Sequence, residues 1–259
     1  MIPSLVVVGR GRIGTMVADL ARRARVPVTL LGRSDDPRAV SEPNPGRPVL
    51  VATRNDDLPG VIEDVHPDNR ADLVFVQNGM LGPWLAERGL GNTTQGLLYV
   101  AVTAVGARPQ PGGDSIFWGP WASEVAALLG QGGVPARAVP DRASWQREVA
   151  IKFTWNAVLG LLGEATGLSV GPIARQHRAE VEGLCAELAP VLSRALGVSL
   201  PVRPLCDAVL AYSETIPDYP ARLKEWPWRN GWLVAEAAAQ GVALPRHSAW
   251  LARARRGDG

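Results

Sequence analysis

At 259 residues, with 46% hydrophobic and 20% charged side chains and a net charge of +2, the chain can form one large or two ordinary globular domains. That charge does not argue for nucleic acid or a membrane surface as the main partner. No apolar run reaches the roughly 18–20 residues that span a bilayer, and two cysteines (Cys185, Cys206) with no basic segment before the first apolar strand read as reduced and cytoplasmic rather than secreted.

Leu5-Val-Val-Val8 is a continuous apolar run ending at a glycine, the pattern of a central parallel strand. Residues 13–25 follow, with Ile13, Met16, Val17, Leu20 and Ala21 at helical spacing. Val28–Leu31, stopped by Gly32, predicts a second strand, and residues 49–52, 73–76 and 97–105 predict three more. Between them residues 56–65 and 83–88 read as helices, and residues 43–48, rich in proline, as a loop. Strand–helix alternation predicts an α/β Rossmann-type fold, a doubly wound parallel sheet with right-handed crossovers. Gly and Pro gather around residues 130–140, and beyond Asp141 strand signals largely cease. Residues 143–162, 172–196, 204–214 and 228–240 read as helices. The expected division is residues 1–139, a nucleotide-binding domain, and residues 140–259, an all-α domain.

Gly9-Arg10-Gly11-Arg12-Ile13-Gly14 is a GxGxxG directly after a strand and at the start of a helix. The first glycine permits the tight turn, the second lets backbone approach a pyrophosphate, and the third lets helix pack on strand. The helix N-terminus then faces the phosphates, and Arg10, Arg12 and Ile13 complete the expected cofactor loop. A carboxylate at the tip of the second strand would bind the ribose hydroxyls of NAD, whereas a cation accommodates the 2′-phosphate of NADP. Arg33 stands at that tip and Arg54 just past the third strand, so NADP is the expected cofactor. The plainer alternative for each is a surface salt bridge, for example to Asp35 or Asp36.

Of 27 lysines and arginines, only Lys152 and Lys224 are lysines. Lys152 lies in an apolar run, with Asn156 one helical turn further on the same face. An ammonium gives up a proton on burial far more readily than a guanidinium does, so Lys152 is a candidate proton donor. A lysine at a helix margin that snorkels to water is the bland alternative. His66, His177 and His247 show no metal-ligand spacing, and no metal is expected. No Gly-x-Ser-x-Gly nucleophile turn or basic–aromatic pattern occurs. Trp226, Trp228 and Trp232 are compatible with an apolar substrate wall or a homodimer interface, though ordinary helix packing is the plainer reading.

Three further signatures follow the glycine loop, Arg33 and Arg54 in order: Gln77-Asn78-Gly79-Met80, Lys152-x-x-x-Asn156, and Ser213 followed by Glu225 and Asn230-Gly231. Together they make nearly the whole chain resemble the ketopantoate reductase (2-dehydropantoate 2-reductase) family. The resemblance implies a C-terminal domain of the 6-phosphogluconate-dehydrogenase-like helical type and NADPH-dependent reduction of a small-molecule 2-oxo acid, ketopantoate to pantoate in pantothenate biosynthesis. It implies Lys152 as general acid and Glu225 as its partner or a ligand of the substrate hydroxyl. Asn156 and Ser213 would bind substrate, and Asn78 would orient Lys152 or the nicotinamide edge. The chain departs from the pattern at Gly160, where the family carries a further asparagine. That change removes a donor and suggests open space along the same helical stripe. Another 2-oxo acid, an opine-type substrate, or an NADPH-binding regulator without catalysis are the alternatives.

Overall fold

The computed structural model describes residues 2–255 and divides between Trp145 and Gln146 into two compact units. The expected boundary was residues 139/140; the observed one falls just inside a long helix.

In chain order, the first unit comprises β1 (Leu5–Val8), α1 (Arg12–Arg23), β2 (Val28–Leu31), α2 (Arg38–Ser41), β3 (Val49–Val51), α3 (Leu58–Asp64) and β4 (Leu73–Phe75). It continues with α4 (Gly82–Glu87), β5 (Thr94–Leu97), β6 (Val100–Ala101), β7 (Gln110–Pro111), β8 (Ser115–Trp118), α5 (Ala122–Gln131) and β9 (Ala136–Ala138). Seven strands form one sheet in the order β2-β1-β3-β4-β5-β8-β9, and β6 pairs with β7 separately. β1 to β5 are parallel; β8 joins β5 antiparallel, and β9 runs parallel to β8.

Alternation along the strands sends Leu5, Val7, Leu50 and Val74 to one face. There they meet Met16, Val17 and Leu20 of α1 and Val125, Leu128 and Leu129 of α5 in one buried cluster. Val6, Val49, Val51, Leu73 and Phe75, equally buried, occupy the alternate positions. A sheet covered on both faces explains why these strands read as unbroken apolar runs.

The expected strand 97–105 is corrected: pairing begins at Thr94, and only Val100–Ala101 of the later stretch is strand. Thr94 and Gln95 are buried polar residues that gave no apolar signal. Gly96 has no side chain because a Cβ there would lie 2.3 Å from the Phe117 ring.

The second unit holds most of α6 (Arg142–Thr166), then α7 (Val170–Gln176), α8 (Arg178–Leu196), α9 (Val202–Thr215), α10 (Asn230–Ala239) and α11 (Pro245–Ala254). The single helix expected over 172–196 is two, broken at His177. Among the described residues no single helix is long and apolar enough to cross a membrane. Nor do His, Cys, Asp or Glu side chains gather there in a group of three that could hold a metal ion.

Candidate active site

In the first unit the chain order reverses at β1: β2 lies on one side of it and β3 on the other. Ligands of open α/β sheets bind beyond the carboxyl ends of strands at such a switch point. A cavity of about 590 Å³ opens there, lined among others by Gly9, Arg10, Gly11, Gly32, Thr53 and Arg54.

The glycine loop accounts for its shape. Gly9 has φ +116°, and a Cβ on it would lie 2.7 Å from the Ala52 carbonyl oxygen. A Cβ on Gly14 would come to 1.8 Å from the Gly9 carbonyl oxygen, so α1 can sit this close to β1 only with glycine there. Gly11, by contrast, faces open space. It caps α1 in extended conformation with no side chain on the free N–H groups and no acid in the first turn. The buried Thr53 Oγ1 has no hydrogen-bond partner among the described residues. An open glycine, an uncapped helix N-terminus and an orphaned hydroxyl on one cavity suit a dinucleotide.

These contrasts separate stability from binding. Gly14→Ala is expected to cost roughly 2 kcal/mol or more in urea unfolding. Gly11→Ala should unfold like the wild type yet lose affinity for a nicotinamide dinucleotide, measured by fluorescence titration.

Two of the arginines lining this cavity, Arg10 and Arg33, are already engaged. Arg10 pairs with Asp35 at 2.6 Å, and Asp35 also accepts the Gly32 N–H at 2.7 Å. Arg33 Nη2 donates to both carboxylate oxygens of Asp57, at 3.0 and 3.1 Å. Arg54 is exposed on the cavity wall; Arg12, at the start of α1, is exposed but does not line the cavity. Ile13 packs against the apolar core. Asn78 follows β4 in a turn pinned from below: Asn55 Nδ2 donates to the Asn78 carbonyl at 2.9 Å, and Gln77 Nε2 to that of Val51 at 2.9 Å.

In the second unit Lys152 is buried, only 6% exposed. Its Nζ donates to the Tyr212 hydroxyl at 3.3 Å and lies 4.6 and 5.3 Å from the Tyr212 and Trp155 ring centres. Burial, aided by the Arg229 charge, lowers its pKa from 10.5 to about 7. Tyr212 is itself held neutral, its pKa raised by burial. Asn156 is also buried, and its Nδ2 has no acceptor among the described residues.

The other expected substrate residues behave differently. Ser213 is sealed in the unit: its Oγ donates to the Val209 carbonyl at 2.9 Å and accepts from Trp155 Nε1 at 3.0 Å. It thereby fixes the Trp155 ring beside Lys152. Glu225 reaches Arg229 at 2.6 Å rather than Lys152. Asn230 Nδ2 donates to the Ala157 carbonyl of α6 at 3.1 Å and faces His247 Nε2 at 3.0 Å. Gly231 is required because a Cβ would lie 2.6 Å from the Trp226 carbonyl oxygen and indole nitrogen. The space expected at Gly160 is filled: a Cβ there would meet the Arg222 carbonyl oxygen at 2.9 Å, and one on Gly163 that of Ala221 at 2.2 Å.

Solved structures share this architecture over almost the whole chain. A PanE/ApbA family ketopantoate reductase from Ralstonia eutropha JMP134 aligns at TM-score 0.74 and 20% identity, covering 97% of both chains. The 2-dehydropantoate 2-reductase from Methylococcus capsulatus aligns at 0.75 and 19%, covering 98% of this chain and 96% of its own. The chain has the ketopantoate reductase fold. A D-mandelate dehydrogenase, solved with NADH and anilino(oxo)acetate, aligns at 0.73 and 14% identity over 97% of both chains. No protein-family model and no curated protein matches the sequence.

Within this ketopantoate reductase fold, sequence motifs located Lys152 and Asn156 but missed Tyr212, Trp155 and Arg229. The aromatic pair carried a faint signal, since Trp155 and Tyr212 directly adjoin the motif residues Asn156 and Ser213. Arg229 likewise adjoins the motif residue Asn230, but its approach to Lys152 exists only after folding.

Proposed function

We propose that the chain is an NADPH-dependent reductase of 2-oxo acids with Lys152 as general acid. The observation that carries this reading is a buried lysine poised near pH 7 in a chain that also bears a dinucleotide-type cavity. The bound nicotinamide would supply hydride to the carbonyl carbon. Lys152 Nζ then gives a proton to the carbonyl oxygen as it gains charge, and is reprotonated from solvent. Tyr212, donor and acceptor in one hydroxyl, holds the ammonium in place. Asn156 Nδ2, buried without an acceptor, donates to a substrate oxygen. Asn78 stands at the carboxyl end of β4 for the nicotinamide edge. Glu225 acts at one remove, through Arg229.

Ketopantoate is the lead substrate on the motifs. A 2-oxo acid with a bulkier, aromatic side chain is the second reading, favoured by the Trp155 and Tyr212 rings beside Lys152 and by Tyr219, tilted against Trp155. Loss of NADPH absorbance, measured with ketopantoate, phenylglyoxylate, 2-oxoisovalerate and pyruvate, tests both readings. Turnover on none of them overturns the assignment as a reductase.

NADPH rather than NADH is proposed from Arg33 and Arg54. To reach a 2′-phosphate, Arg33 must exchange Asp57 for it, so Asp57→Asn is expected to tighten NADPH binding while Arg33→Ala weakens it by roughly tenfold. Thermal shifts with each dinucleotide measure this, and a larger shift with NADH than with NADPH reverses the cofactor assignment.

A further inference from the structure

Arg229 is an unusual residue for its position. It immediately precedes α10, is only 8% exposed, and holds Glu225 through Nη2 at 2.6 Å. The neighbouring Nε–H, on the same edge of the guanidinium, is buried and has no acceptor among the described residues. A guanidinium fork matches a carboxylate with two parallel hydrogen bonds, and here only one tooth is used. Leaving a charged donor buried and unsatisfied is costly, so the position implies an acceptor that arrives later.

Its surroundings narrow the nature of that acceptor. Arg229 is close enough to Lys152 for its charge to disfavour the ammonium. One helical turn from Lys152, Asn156 Nδ2 is a second buried donor without an acceptor. The carboxylate that Arg229 does hold, Glu225, is 38% exposed at its side chain and sits at φ +50°. A non-glycine residue in the left-handed region costs on the order of 1 kcal/mol or more and persists only where its surroundings enforce it. The enforced conformation puts the Glu225 carboxylate on one tooth of the fork and leaves the other open.

We propose that Arg229 is the specificity residue that receives the carboxylate of the 2-oxo acid, through its Nε–H and the edge it shares with Glu225. This rests on the reductase reading above. It explains why a second cation is tolerated beside Lys152: the arriving anion balances it and favours the charged, proton-donating form of the lysine. It also sets the substrate class, because an uncharged carbonyl compound would leave the fork unsatisfied.

The test compares kcat/KM for a 2-oxo acid and its uncharged methyl ester, using phenylglyoxylate and methyl phenylglyoxylate, in wild type, Arg229→Met and Arg229→Lys. The wild type should prefer the acid by about a hundredfold or more. Arg229→Met should bring the ratio close to one through a higher KM for the acid, and Arg229→Lys, with charge but no fork, should fall between. A purely structural Glu225–Arg229 pair would lower both substrates alike and leave the ratio at its wild-type value, which overturns the proposal. Should Arg229→Met not fold, the Arg229→Lys ratio decides in the same way. A wild type that reduces neither compound, nor any acid of the panel, sinks the reductase reading, and this inference with it. Wild-type turnover with an unchanged ratio in the variants sinks only the role of Arg229.

Discussion

At pH 7, Lys152→Met should melt several degrees above the wild type while reducing 2-oxo acids about 10²- to 10⁴-fold more slowly. The two effects share one cause. Burial lowers the lysine pKa from its ordinary 10.5 to about 7, so the unfolded chain binds this proton more tightly than the folded one. The resulting destabilisation is fully present below about pH 7 and fades as pH rises toward 10.5. At 1.36 kcal/mol per pH unit its upper limit is roughly 5 kcal/mol. Lost ring contacts with Tyr212 and Trp155 offset part of this, leaving a gain of roughly 1–3 kcal/mol for the methionine. Melting curves of the two proteins at pH 6.5 and pH 10 should therefore converge at the higher pH. Equal separation at both would mean that the folded lysine keeps its ordinary pKa.

The rate effect carries its own pH signature. A proton donor must be charged, so kcat/KM for reduction should fall above about pH 7, the value for the free protein. In the complex, the substrate carboxylate favours the ammonium, which moves the corresponding limb of kcat to higher pH. Identical limbs for kcat and kcat/KM would argue against an anion bound beside Lys152.

Restoring the asparagine that the family carries, by Gly160→Asn, should not improve ketopantoate turnover and should destabilise the chain by roughly 2–4 kcal/mol. The neighbour on this face of α6 is backbone, at residues 221–223, and backbone cannot rotate away as a side chain does. A Cβ at 160 would lie 2.9 Å from the Arg222 oxygen. The segment is also tied down. Arg222 Nη1 donates to the Gly163 and Ala221 carbonyls at 3.1 and 2.8 Å, and Glu164 accepts the Leu223 N–H at 3.1 Å. Gly163→Ala, at 2.2 Å from the Ala221 oxygen, should be still less stable in chemical unfolding. If both variants unfold like the wild type, the close approach of 221–223 to α6 is wrong.

Gly160 also marks the limit of what the sequence carries. The parallel half of the sheet was legible because each strand is buried on both faces and each helix has one apolar stripe. The beginning of β5 was not, because its buried residues are not apolar: Thr94 Oγ1 accepts the Trp121 N–H, Gln95 Nε2 donates to the Gly91 carbonyl, and Gly96 leaves room for the Phe117 ring. Likewise β8, α5 and β9 were absent from the expected elements, although α5 buries Val125, Leu128 and Leu129 at helical spacing. In the site, Lys152 and Asn156 were legible because both lie on one local helical repeat. The absence of a side chain at 160 reads in one dimension as room and in three as contact. Ser213 and Glu225 lay in recognisable motifs, yet their partners, Trp155 and Arg229, depend on how α6, α9 and the start of α10 come together.

The chain's near-exclusion of lysine has a practical corollary for chemical probing. Only two side-chain amines exist: Lys224, exposed, and Lys152, buried but largely uncharged just above neutrality. The first offers a reagent access; the second is nucleophilic once its proton is lost but is enclosed. Mild acylation near pH 8 therefore reports on two separate properties through two peptide masses. Modification at 152 registers how often its aromatic enclosure opens, with 224 as the internal standard. Any ligand that closes over Lys152 becomes visible as protection of one residue, with no need for turnover at all.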